Sequence, residues 1–542
     1  MPTDTDTGRP LSIAILAGSD QVFEPWEASL FERLMHSADF SLETFLISDH
    51  SGPRQKPSRV YRALLDLEER LFTRGNRQGI PITDDRFADI PKIAPQAIGV
   101  DGQIDIVLSH IPGMDCSSIS ERCDEVWEYH FNVSGPDMVG TFGFRECLEA
   151  RPITKSGIIA HRAGGSRGLL AVSKSNTKIS ATFNAEYAKA VLSSLVEKEL
   201  RRTARQPDRG AAFVPPSLDN APIPLRSPTP LECLRYSFGL GTRIARRGAD
   251  SLLKKIGAQP ENWSLVLGEG EVLGSSLERL TELKQPKGEF RADPFLFETE
   301  DERWVFFESY NYRTKLGSIC VGRIEGDTLI DVTPLDFGDV HCSYPFVFEH
   351  DGEIFLIPET HERERIEVWR CADFPHRWEL HATGLEGESA ADTVFVEWND
   401  ECWLFTNLSR HDFVDHCAEL HVFKVSGPDL ANIEPHPLNP VVVDSTRARN
   451  GGRPFVSEGR LIRPGQITSH GSYGYGLALL EVTELSMDTY AEREIRRIEP
   501  EVEQSTIGCH HVDHSSGVFI MDARRAYGSK LLGARPIAVR AT

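Results

Sequence analysis

Asp293 and Asp392 open two ungapped copies of one motif, and this repeated pair of carboxyl groups is the first feature of the sequence that could do chemistry. The copies read DPFLFETEDERWVFF and DTVFVEWNDECWLFT, with Glu298/Glu397, Trp304/Trp403 and Phe306/Phe405 coincident. A third copy, YPFVFEHDGEIFLIPE, begins at Tyr344, and weaker ones begin at Arg453 (RPFVSEGRLIRPGQ) and His510 (HHVDHSSGVFIMDA). Two acids, a phenol, a guanidinium and an imidazole at equivalent positions are hard to explain as packing, because buried polar groups need partners. Close by fall Glu308 and Glu359 at the ends of second strands, His341 ahead of the second start, and Arg463 and Gln466 in RPGQ. Carboxyl groups beside Arg and His can serve as general acid and base, or can grip sugar hydroxyls. The expected roles are Asp293 as base or electrostatic stabiliser and Asp392 or Glu359 as acid. Glu308, His341, Tyr344, Arg453, Arg463, Gln466 and His510 are then the substrate contacts. The plainer alternative makes Asp293 and Asp392 turn caps.

Such residues meet only if the chain brings the repeats together. Each unit reads as a strand, a tight acidic or Gly-containing turn, and a second strand rich in aromatic and β-branched residues. Starts about 50 to 60 residues apart suit four-stranded propeller blades. Five units predict a five-bladed all-β propeller over residues 286–542. In that architecture the innermost strands line one channel, so equivalent positions of different blades become neighbours.

Two other clusters are weaker. His510, His511, Asp513 and His514 are close enough to suggest metal ligands, but alternate strand residues face opposite sides and no second cluster completes a set, so no metal is expected. Tyr473, Gly474, Tyr475 and Gly476 read either as a mobile aromatic loop or as a bulge or blade edge.

The first half has a different texture. An apolar run at 11–17, a helical pattern at 25–37 and a second apolar run at 104–108 predict a small α/β domain with a parallel sheet over residues 1–202. Helical periodicity at 184–202 closes it. Residues 203–230 hold seven prolines and read as an extended linker. Residues 231–285 then form a basic helical connector and lead-in, with Arg235, Arg243, Arg246, Arg247, Lys254 and Lys255 along 231–256. That helix reads as a solvated connector or as a surface for peripheral membrane or partner contact.

The 542 residues suggest several domains. With 59 Lys and Arg against 81 Asp and Glu the net charge is −22, which disfavours a nucleic-acid role. No stretch has the roughly 20 apolar residues of a membrane span, and the N-terminus lacks the pattern of a signal peptide. Ten cysteines scattered singly read as reduced thiols. A cytoplasmic protein is expected.

Several segments carry a family resemblance. ADPFLFE with FFES, HCSYPFVFEHDGEIFLIPET, the Phe374-Pro375…Trp378 element, and RPGQ followed by YG occur in the order found in the glycoside hydrolase family 43-like domain of the glucosamine inositolphosphorylceramide transferase type. Family 43 hydrolases carry an Asp at the first blade start, an Asp on blade two and a Glu on blade three. Asp293 matches the first, whereas blade two starts Tyr344-Pro345 and blade three offers Asp392. The resemblance therefore implies sugar recognition without the full hydrolytic set.

The N-terminal half resembles the formyltransferase fold, which uses a folate formyl donor. In WEYHFN, His130 stands for that family's His, while Glu128 occupies the Asn position and Ser166 in AGGSRG (163–168) the place of an Asp. A docking or structural role is expected of this domain. The functional expectation is a protein acting on an activated sugar or glycoconjugate precursor, by glycosyl transfer or glycoside cleavage, with no cofactor required. The alternatives are a non-catalytic sugar-binding or assembly module, and formyl transfer to an amino sugar, the one case that needs the folate donor.

Overall fold

The computed structural model describes residues 9–49, 57–72, 79–99, 103–111, 113–131, 141–205, 226–255, 261–275, 277, 280–300, 302–411, 413, 415–501, 506–526 and 539–541. The chain divides into two compact units, residues 1–242 and 243–542. The Pro-rich linker expected at 203–230 lies mostly outside the described residues; residues 203–205 complete the helix Ala181–Arg205, and Pro230 opens the helix Pro230–Lys255.

The first unit is built on a seven-stranded sheet. Its order is Lys92–Ile93, Phe40–Ser48, Leu11–Gly18, Ile104–Ser109, Cys123–His130, Ile153–Arg162 and Arg167–Asn176. The first five strands run parallel, and every residue of Leu11–Gly18 is buried, as a central parallel strand requires. The last two add an antiparallel hairpin, so the sheet is mixed rather than wholly parallel. The AGGSRG segment is that hairpin's turn, with Gly164 and Gly165 in the left-handed region.

The second unit is a propeller of five blades. Blade one is Glu289–Glu298, Arg303–Asn311, Leu316–Glu325 and Thr328–Pro334; blade two is Ser343–His350, Glu353–Glu359, Ile366–Asp373 and Arg377–Gly384. Blade three is Ala390–Trp398, Glu401–Leu408, Glu419–Val425 and Ile433–Pro435, and blade four is Phe455–Ser457, Arg460–Ser469, Ser472–Leu485 and Tyr490–Pro500. Blade five runs outward through Val512–Ser515 and Val518–Ala526, and its third strand is Glu261–Glu269, from the stretch read as lead-in. The ring is therefore closed by chain that precedes blade one. Trp403, Phe306, Phe346 and Phe405 are among the residues that pack between the sheets.

One local device recurs on three inner strands. Pairing with the second strand slips between Ala292 and Phe295, Ser343 and Phe346, and Ala391 and Val394. At each slip a non-glycine residue takes positive φ: Asp293 at 50°, Tyr344 at 47° and Asp392 at 46°. Such bulges re-aim side chains at a cost of about 1 kcal/mol or more each, and here all three side chains are buried.

Blade four departs from the pattern. Its inner strand is interrupted at 449–453, where the ladder is reduced to the bridges Asn450–Gly465 and Gly452–Val512. Gly452 has φ 141°, and a Cβ there would lie 1.8 Å from the Val512 carbonyl oxygen. The Tyr344 hydroxyl donates to the Gly452 carbonyl (3.2 Å) and accepts from its N–H (2.9 Å), tying blade two to blade four.

Arg453 is a plug in the channel rather than a member of the ring formed by the blade starts. It pairs with buried Asp513 at 3.0 Å, donates to the carbonyls of Val347 and Leu296, and stacks near Phe295 and Phe346. Removing one partner of a buried pair strands the other charge. Arg453→Met is therefore expected to lower the unfolding free energy by about 3–5 kcal/mol, read from urea denaturation.

Candidate functional site

The bulges at Asp293 and Asp392 point carboxyl groups inward, where Glu308 and Glu359 join them from the second strands of blades one and two. The electrostatic problem is severe, because buried like charges cannot all ionise. The sequence expectation left out the residue that answers it. Arg449, in the interrupted segment of blade four, donates through Nε to Asp392 Oδ2 at 2.6 Å and through Nη2 to Asp392 Oδ1 and Glu359 Oε2, each at 3.2 Å. Tyr473 covers it, with the ring centre 4.9 Å from Cζ.

The expected contacts Arg463 and Gln466 hold this arginine from behind. Arg463 is fully buried, pairs with Glu492 at 2.8 Å, and donates to the Arg447 carbonyl and to Asn450 Oδ1. Gln466 Nε2 donates to Asp392 Oδ2 (2.9 Å) and to the Asn450 carbonyl (2.8 Å), and its N–H donates to the Arg449 carbonyl. Both are positioning residues for the 447–450 segment. Gln466 alone of the two also touches a carboxylate of the site. Tyr344, spent on Gly452, tethers the blades.

The four carboxyl groups differ in protonation. Burial pushes Glu308 well above the ordinary carboxylate range, with Asp293 and Glu359 adding to the rise. Glu359 is just as buried, yet its bond to His361 Nδ1 (3.1 Å) and the charge of Arg449 hold it well below the usual range. Asp392 is raised by burial against the pull of Arg449. Asp293 is pushed up to about 6, mainly by burial, which outweighs His510. Its Oδ1 has no hydrogen-bond partner.

His341 and His510 flank this array. The Gly317 N–H donates to His341 Nδ1 at 2.9 Å, so the ring carries its proton on Nε2, 3.7 Å from Glu308 Oε1. Burial lowers His341, keeping it neutral. Gly317 is required here: a Cβ would lie 2.3 Å from Glu308 Oε1 and 2.6 Å from His341 Cε1. His510 Nε2 lies 3.4 Å from Asp293 Oδ1 and Nδ1 lies 2.6 Å from Asp522 Oδ2, the latter close but off the angle of a hydrogen bond. Burial works against the charged ring, but Asp522 and Asp293 raise it. Trp263 packs on its face at 4.2 Å and Tyr473 on its edge at 5.1 Å.

Asp293, His510 and Asp522 offer donor atoms within 4.8 Å of one another, the one group of metal-ligating spacing among the described residues. Of the cluster read in the sequence, His510, His511, Asp513 and His514, for which no metal was expected, only His510 belongs to this group. His511 packs on Phe295 and Tyr344 with its Nδ1 3.9 Å from Asp293 Oδ1, whereas Asp513 holds Arg453 and His514 packs on Phe455. The YGYG segment lies in the strand Ser472–Leu485, and its Tyr473 is part of the site wall.

His130 is not part of this array. It ends the strand Cys123–His130 in the first unit, half-buried, opposite Gly157. Glu128, at the position of the formyltransferase Asn, accepts from the Gly113 N–H (2.8 Å) and lies 3.2 Å from His161 Nε2 and 3.3 Å from Arg167 Nη2.

Residues 278–514 match the family described as glucosamine inositolphosphorylceramide transferase 1, N-terminal. Two relatives named glucosamine inositolphosphorylceramide transferase 1 are similar: that of Oryza sativa subsp. japonica at 33% identity over 208 residues, and that of Arabidopsis thaliana at 30% over 210. Each match covers 38% of this chain and 27% of the relative. Among solved structures, a GH43 β-xylosidase/α-arabinofuranosidase from a compost microbial metagenome overlaps at 13% identity, covering 51% of this chain and 93% of that one with a TM-score of 0.33. An α-L-arabinofuranosidase from Lactobacillus brevis overlaps at 13% identity, covering 42% and 79% with a TM-score of 0.31. At these scores the structural likeness carries no argument about the site. Residues 278–514 are thus similar to the glucosamine inositolphosphorylceramide transferase 1 N-terminal family, and the chain spans about a quarter of the length of the relatives it matches.

Asp293 makes a pH test. Its folded value, about 6, lies above its ordinary 3.8, so its contribution to stability is fully present below 3.8 and is lost as pH rises through about 6. Glu359, held low, acts in the opposite sense and loses its contribution as pH falls below 4.5. Asp293→Asn removes only the first effect. The variant is expected to gain on the wild type as pH rises across that window, by on the order of 3 kcal/mol, in paired denaturation curves.

Proposed function

We propose that the propeller channel binds the sugar of an activated sugar or glycoconjugate precursor and carries out acid–base chemistry at its glycosidic bond, as transfer or cleavage. The observation that carries this reading is the split in protonation among neighbouring carboxyl groups. Glu308 is kept neutral while Glu359 is kept ionised, and environments that push two carboxyl groups apart assign acid and base roles. Glu308, expected only as a contact, is the proton donor. Glu359 is unsuited to that role, and Asp392 is clamped by Arg449 and Gln466. Asp293, near neutrality and with one oxygen that makes no hydrogen bond, is the base or the stabiliser of developing positive charge. The aromatic faces of Tyr473 and Trp263 and the half-exposed His341 and His361 form a wall suited to a sugar ring.

The relatives are transferases by name, and the match covers about a quarter of their length, so transfer is supported as a class and the acceptor is left open. The cytoplasmic expectation is supported by ten cysteines that are all free thiols.

One observation favours a second reading. Asp392 and Glu359 share the Arg449 fork, the kind of closed ion-paired set that a non-catalytic sugar-binding module would keep. Turnover separates the two. Across a panel of nucleotide sugars and aryl glycosides, Glu308→Gln and Asp293→Asn are each expected to lose about 10²-fold or more in kcat while KM changes far less. Undiminished kcat in both variants would remove the catalytic reading.

A further inference from the structure

The exposed hydrophobic side chains are not spread evenly. Of the fourteen large ones exposed among the described residues, eight lie on two helices, Arg59–Phe72 and Pro230–Lys255. The buried faces of these helices meet in one cluster, through Tyr61 and Leu65 on the first and Cys233, Tyr236 and Leu240 on the second. Their outer faces keep Leu67 and Leu71 on the first, and Leu231, Leu234 and Phe238 on the second, at 66%, 66% and 74% exposure.

The longer helix shows what kind of surface this is. At about 100° per residue, Leu231, Leu234, Phe238, Ala245 and Leu252 fall on one narrow stripe, opposite Cys233, Tyr236 and Leu240. Arg235 and Arg246 flank that stripe and are exposed, as is Arg247. Of the two acids on the helix, Glu232 is already taken by Arg145 and Arg226. A chain of net charge −22 thus gathers uncompensated arginines beside its most exposed leucines and phenylalanine. Among the described residues no helix is long and apolar enough to cross a membrane.

We propose that this face docks on the surface of an anionic lipid bilayer, with Leu231, Leu234 and Phe238 entering the headgroup boundary and Arg235 and Arg246 meeting lipid phosphates. Apolar burial and cation–anion attraction then act together, as in other helices that lie in the membrane interface. The occupant is set by local charge: an apolar partner alone would leave the arginines unmatched, whereas lipid phosphates beside an acyl layer match both the arginines and the apolar stripe.

The test is co-sedimentation of the full chain with vesicles of phosphatidylcholine alone and of phosphatidylcholine mixed with phosphatidylserine. The wild type should partition onto the anionic vesicles at least about tenfold more than onto the neutral ones, and salt should release it. Leu234→Ser with Phe238→Glu, and separately Arg235→Glu with Arg246→Glu, should each reduce that partition about tenfold or more while leaving the melting temperature of the chain near that of the wild type. Absence of partition, or equal partition onto both vesicle types, would overturn the proposal. So would concentration-dependent dimers in light scattering that the Leu234/Phe238 variant abolishes, which would assign the face to a second copy.

Discussion

One guanidinium in a nest of acids sets the terms for the propeller. Five carboxyl groups, on Asp293, Glu308, Glu359, Asp392 and Asp522, sit where blades one, two, three and five converge, all buried. Burial of so many acids is tolerated only if some are neutral and the rest are paired. Arg449 does the pairing for Asp392 and Glu359, and His510 does it for Asp522 and Asp293. Glu308 has no such cation among the described residues, and burial pushes it well above the ordinary carboxylate range. The pattern of raised and lowered carboxyl groups therefore follows from burial and from where two cations sit.

Those placements depend on the backbone. Three inner strands bulge at the same point into positive φ and direct Asp293, Tyr344 and Asp392 inward. The fourth blade gives up its regular inner strand over 449–453, which frees Arg449 to reach across the channel. That irregularity is held by buried bonds from Arg463, Gln466 and Asn450 and by the Tyr344 hydroxyl on Gly452. Buried groups behind the channel thus fix the one guanidinium that Asp392 and Glu359 share. The ring itself is closed by Glu261–Glu269, which makes the fifth blade a product of both ends of the propeller segment.

Much of this was legible from the residues, and the gaps have physical causes. The blade starts at Asp293, Tyr344 and Asp392 could be read because the bulge repeats in identical register. Reading Arg453 as the fourth equivalent failed because the chain breaks its strand there at Gly451-Gly452; the arginine that meets the buried carboxyl groups lies four residues earlier, in RARNGG, and Arg453 became the plug over Asp513. The closing strand carries no repeat motif, so nothing in ENWSLVLGE linked it to a blade. The opposite shifts of Glu308 and Glu359 could not be read from the residues because they are set in space: His361 and Arg449 for Glu359, burial for Glu308. In the first unit, the apolar runs at 11–17 and 104–108 marked true central strands, whereas the antiparallel hairpin behind AGGSRG left no periodic signal distinct from a parallel pair.

The account turns on Glu308 holding a proton at neutral pH while Glu359 does not. Side-chain carboxyl ¹³C shifts of glutamate-labelled protein, assigned with Glu308→Gln and Glu359→Gln and followed across neutral pH, measure this directly. The account predicts a protonated shift for Glu308 throughout the neutral range and an ionised one for Glu359. A Glu308 signal that titrates in the ordinary carboxylate range, or a Glu359 signal that stays protonated, would contradict it.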